Sequence, residues 1–121
     1  MRNVVVAGGQ LGPISRDEIK ASAVNRMIAL MHQAASRGAQ LIVFPELALT
    51  TFFPRWWVDS KQILTTCLNG KCLIRMYQLY LKHPRKLNIA FHLGYAELTP
   101  DGHRYKTAIM VNNIGKIIGI H

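Results

Sequence analysis

The chain is predicted to be an α/β protein, because a β-branched run, an amphipathic helical stretch and a second apolar run follow closely on one another at its start, and strand-like segments separated by turn signals fill its last third. Asn3 to Ala7 is the first run, closed by Gly8-Gly9, and it reads as a buried strand. Ser15 and Glu18 have the spacing of a capping box, in which each side chain satisfies the other residue's free backbone N–H, so a helix should open there. Its apolar positions Val24, Met27, Ile28, Met31, Ala34 and Ala35 share one face, and Arg37-Gly38 supplies the positive charge and the left-handed stop expected at its end. Leu41 to Phe44 is the second strand, and strand–helix–strand with such short connections is a parallel crossover. Thr50 to Asp59, aromatic and interrupted by Pro54, is a loop; residues 71–83 suit a second helix ended by Pro84. Asn88 to Leu98 and Arg104 to Val111 are strands joined by Thr99-Pro100-Asp101-Gly102, whose Pro-Asp-Gly favours a tight turn. Asn112-Asn113-Ile114-Gly115 turns again into a strand over Lys116 to Ile120.

With 121 residues, half of them hydrophobic, the chain can bury one core and is too short to suggest more than one domain. No apolar stretch reaches the roughly 20 residues of a membrane span, and the opening run is too short for a signal peptide, so a cytoplasmic protein without a membrane partner is expected. Cys67 and Cys72 have four residues between them, which fits neither a zinc hairpin nor a redox pair, and reduced thiols follow as the expectation. The five histidines, His32, His83, His92, His103 and His121, show no ligand spacing, so no metal site is expected. The net charge of +9 is uneven: residues 60–121 carry nine basic and two acidic residues, residues 1–59 six and four. Such a field attracts anions and nucleic acid, but it contains no tight basic cluster and reads first as a solvated basic face. Nucleic-acid binding is the weakest functional reading, because the aromatics fall in helices and a loop rather than on a strand face interleaved with Lys and Arg.

The most informative stretch is Leu41-Ile42-Val43-Phe44-Pro45-Glu46-Leu47-Ala48-Leu49-Thr50-Thr51-Phe52-Phe53-Pro54-Arg55-Trp56, in which an apolar strand runs straight into a carboxylate beside a proline. A charged group at the carboxyl end of a parallel strand sits where α/β proteins place their chemistry. Flanked by Phe44, Pro45 and Leu47, Glu46 is expected to be partly desolvated, as suits a general base. This run resembles the first catalytic segment of the nitrilase superfamily of carbon–nitrogen hydrolases, most closely the N-carbamoyl-D-amino-acid hydrolases. Val4-Val5-Val6-Ala7-Gly8-Gly9-Gln10, and Leu93 to Leu98 through Gly115 to Gly119, extend the likeness over most of the chain as strand and turn patterns.

The resemblance implies residues 1–121 to be a partial carbon–nitrogen hydrolase domain, the incomplete N-terminal portion of a four-layer αββα sandwich. It implies Glu46 as general base and, in the complete enzyme, a lysine and a cysteine nucleophile acting on a non-peptide amide such as an N-carbamoyl-D-amino acid, with no metal or organic cofactor. The family's lysine follows the strand that here ends at Ile120 and the cysteine lies later still, so neither is expected among these residues, and Cys67 and Cys72 read as small buried hydrophobes. The chain alone is therefore expected to be inactive. The loop after Glu46 would line the pocket mouth, with Phe53 as an apolar wall and Arg55 to steer a substrate carboxylate, while Phe52 and Trp57 could equally pack the loop onto the core. Lys106 is a departure, since that position often carries an asparagine in the family, and it leaves the register of its strand open. Lys116 and Lys61 could supply a positive charge near a site, though Lys116, in a turn signature, reads first as solvated. The partners expected are a small-molecule substrate and, by family habit, further copies of the chain. A second reading is a non-catalytic relative that acts by subunit association.

Overall fold

The computed structural model describes residues 3–15, 17–52 and 83–121. Its sheet has five strands in the order β1 (Val6–Gly8), β2 (Leu41–Val43), β3 (Ala90–Leu98), β4 (Arg104–Val111) and β5 (Ile117–Ile120), and helix α1 (Lys20–Ser36) lies between β1 and β2. The first three strands run parallel; β4 and β5 are added antiparallel through tight turns. The α/β class and the parallel crossover thus stand as read.

One face of the sheet carries α1. Ala23, Val24, Met27, Met31 and Ala34 are buried on the helix, with Ile28 and Ala35 half-buried beside them, and they close over Ile42, Phe91, Leu93, Tyr95, Ile109 and Val111. The strand residues alternate because side chains on a strand point to opposite faces, and the register places Phe91 between Ile42 and Val111 in one row. The opposite face, formed by Val6, Val43, His92, Gly94, Ala96, Lys106 and Met110, is more open: Val43 is 38% exposed and Val6 55%.

Several local expectations need correction. Ser15 and Glu18 do not cap α1; its N-cap is Ile19, in extended backbone, with no side-chain cap. Glu18 has a stronger partner, Arg26, whose guanidinium lies 2.7 Å from its carboxylate and also donates to the carbonyls of Leu11 and Pro13. Held by a guanidinium, the carboxylate is drawn away from the backbone N–H it would cap. The helix stop is as expected: Gly38 takes φ 80°, its N–H bonds to Ala35, and Ala39 bonds back to Ala34, a Schellman arrangement. β1 starts at Val6 instead of Asn3 and is not a buried strand, because it forms the sheet's edge and leaves Val4, Val5 and Val6 more than half exposed.

Pro84 does not end a helix either; residues 83–87 are helical, and the chain leaves them through Asn88 in the left-handed region, φ 53°, so β3 begins at Ala90. The helix expected over residues 71–82 lies outside the described residues. The 112–116 turn closes as an Asx turn, Asn112 Oδ1 accepting from the N–H of Ile114 and Lys116. Asn113 reaches across to Asn88 at 2.7 Å and ties that turn to the start of β3. Among the described residues no helix is long and apolar enough to cross a membrane.

Candidate functional site

Glu46 stands just beyond β2, at the carboxyl end of the parallel strands, where α/β sheets present ligands. Its presentation follows from how the chain leaves the sheet. On the β2 side of β3, the carbonyl of His92 accepts from Phe44 N–H at 3.0 Å and that of Gly94 from Ala48 N–H at 3.1 Å. A regular parallel ladder fills successive acceptors with residues two apart, whereas here they are four apart. Residues 45–47 are therefore extruded as a loop. Leu47 is held at φ 55°, a conformation that costs an L side chain roughly 1–2 kcal/mol, and its side chain is buried against Ala96 with Leu98 beside it.

The loop leans over the open face of the sheet, and Gly94 makes room for it. A Cβ at that position would come 3.3 Å from Glu46 Cα and 3.8 Å from Leu47 N, both backbone atoms that cannot swing away. Gly94→Ala is expected to push the loop outward and cost about 1–3 kcal/mol as overpacking. The check is the urea midpoint of the 121-residue chain, and an unchanged midpoint would show that the loop does not rest on β3.

From β4, Lys106 reaches the same spot. Its register is unambiguous, opposite Ala96 in an unbroken ladder from Phe91–Val111 to Leu98–Arg104; the register shift at Met110/Val111 belongs to the pairing with β5. Lys106 Nζ lies 3.1 Å from Glu46 Oε1. The expectation of a desolvated Glu46 is not met by the chain's own packing, since its side chain is 54% exposed: Phe44 packs into the core under α1 and Leu47 against Ala96, while the carboxylate turns out. Thr50, two residues after Ala48, is buried with its hydroxyl unpartnered.

Phe53, Arg55, Lys61, Cys67, Cys72 and Trp57 lie outside the described residues. Phe52 is 55% exposed and does not pack the loop onto the core. Lys116 is exposed in its turn, as read. No group of three or more potential metal ligands occurs among the described residues. His32 and His83 do meet edge to face, 5.8 Å between ring centres, and burial together with His32 and then Lys86 holds His83 below its ordinary pKa. Gly94 and Lys106 are the site residues that sequence reasoning missed. The signal was available only as register: once 93–98 and 104–109 pair as a hairpin, position 106 falls on the same face as 94.

Residues 5–121 match the carbon-nitrogen hydrolase family. Among solved structures, the fold is similar to that of a carbon-nitrogen hydrolase from Helicobacter pylori G27, with TM-score 0.81 and 14% identity over 98% of this chain and 38% of that one. It is also similar to a variant of the amidase from Nesterenkonia sp. AN1 that shows Michael addition of acrylamide at its active-site cysteine (TM-score 0.73, 15% identity, 98% of this chain and 43% of that one). A third similar structure is an N-terminal amidase with an Asn-Glu-Ala peptide (TM-score 0.72, 20% identity, 96% of this chain and 27% of that one). The chain thus spans less than half the length of each, and at these identities the likeness concerns the fold.

Proposed function

The chain belongs to the carbon–nitrogen hydrolase family, and from that premise we propose that residues 1–121 supply the general base, Glu46, of an enzyme that cleaves non-peptide amide bonds. The observation that carries this reading is the extruded 45–47 loop, which spends backbone strain at Leu47 to hold a carboxylate over the open sheet face. Glu46 would take the proton of a cysteine thiol, the thiolate would attack the amide carbon, and the proton would pass to the leaving nitrogen as ammonia departs. Water, deprotonated by the same carboxylate, would then hydrolyse the acyl-enzyme and regenerate the thiol. In this reading the cysteine and an oxyanion-stabilising lysine come from segments outside residues 1–121.

Within that class, N-carbamoyl-D-amino acids are the proposed substrates, giving the D-amino acid, carbon dioxide and ammonia. The support is the sequence of the Glu46 segment, with Arg55 to meet the substrate carboxylate and Phe53 as an apolar wall. A second reading, association without catalysis, is favoured by the exposed valines Val4, Val6 and Val43, which form an apolar surface suited to another subunit. An ammonia assay separates the two from a self-sufficient enzyme. The purified 121-residue chain is expected to release none from amides or N-carbamoyl amino acids, because a base without its nucleophile has nothing to activate. Release above background that disappears in Glu46→Gln would overturn this.

A further inference from the structure

We propose that Lys106 is the positioning residue of Glu46: its ammonium holds Oε1 and thereby aims the other carboxylate oxygen at the proton to be taken. The inference rests on the reading of Glu46 as the base. The backbone of the 45–47 loop is placed by the hydrogen bonds to His92 and Gly94 and by the lack of a side chain at Gly94, but these leave the glutamate's own torsions free. Lys106, 3.1 Å from Oε1, is the contact that restricts them among the described residues. The path is open because Ala96 and Gly94, the β3 residues that the lysine stem must pass, are small.

Both partners are exposed, Lys106 at 66% and Glu46 at 54%, so in the chain by itself the pair is screened and adds little to stability. Its use is geometric. When the rest of an active enzyme covers this face and water is excluded, the same contact strengthens and the carboxylate is left with one proton-accepting direction.

The test uses a catalytically complete polypeptide in which residues 1–121 continue through lysine- and cysteine-bearing segments. K106M is expected to lower kcat by roughly ten- to a hundred-fold while KM stays within about two-fold, since the substrate itself is not touched. K106R, which keeps a cation at similar reach, is expected to recover most of the rate, and K106M is expected to add little to the loss already present in E46Q. A K106M enzyme as fast as its parent, with E46Q inactive, would overturn the role of Lys106 and leave Glu46 as the base; a fully active E46Q would instead overturn the reading of the base. A second measurement needs only the 121-residue chain: the Nζ resonance of Lys106 should move in E46Q while that of Lys116, in its exposed turn, stays in place. Equal behaviour of the two lysines would show that the pair does not form and would sink the proposal.

Discussion

Glu46→Gln is expected to lower ammonia release by about 10²–10⁴-fold in a catalytically complete polypeptide containing residues 1–121, with the folded state intact. The substitution keeps the size and one hydrogen-bonding oxygen of the side chain but removes its ability to accept a proton. Stability should barely change, because the carboxylate is 54% exposed and its ion pair with Lys106 is solvated. The measurement is steady-state ammonia production beside a thermal melt of the same preparations. A Cys67→Ala, Cys72→Ala double variant is the companion control and should keep its rate, since the nucleophile is assigned to a later segment. If Glu46→Gln stays within ten-fold of its parent, another group is taking the proton. If the double cysteine variant is the one that dies, the nucleophile lies within these residues and the proposed division of the site is wrong.

The second large effect concerns the core. Phe91→Ala should destabilise the chain by about 3–5 kcal/mol, a loss comparable to the entire stability of many domains. Phe91 is 1% exposed, sits in the central strand between Ile42 and Val111, and forms part of the floor on which α1 packs. Removing its ring leaves a cavity bounded by a sheet and a helix, neither of which can collapse far. Val43→Ala, on the open face and 38% exposed, should cost less than about 1 kcal/mol. The contrast, read from denaturant unfolding of the two variants, tests whether the α1 side is the finished layer of this molecule. Similar costs at the two positions would show that the open face is covered in solution, as the association reading requires.

Much of the fold was legible because its signals are local. The end of α1 is set by Gly38, whose freedom at φ 80° terminates the helix wherever the rest of the chain lies. β4 runs over Arg104–Val111 as read, since Pro-Asp-Gly before it and Asn112-Asn113 after it mark both limits. The misreadings arose where a local preference met a partner or a sheet position outside the local motif. Ser15-x-x-Glu18 has capping-box spacing, but Glu18 found Arg26 a short way along the chain, and an ionic contact prevailed. Val4-Val5-Val6 has the composition of a buried strand, yet composition does not say whether a strand will be central or at the edge, and here it is at the edge.

The same division runs through the site. The sequence by itself determined that a carboxylate follows an apolar strand, which makes Glu46 a candidate, and the resemblance of that segment to the carbon–nitrogen hydrolases is what singled it out. Only the tertiary structure decided what surrounds it. Gly94 and Lys106 lie 48 and 60 residues away in the chain, and they meet Glu46 because the order β2-β3-β4 lays three strands side by side in one register. Shifting β4 by a single residue would turn Lys106 to the helix-bearing face, since strand side chains alternate. The physical reason is the range of the forces involved: capping, turn and periodicity preferences act over a few residues, whereas register is fixed by burying Phe91, Leu93, Ile109 and Val111 together under α1.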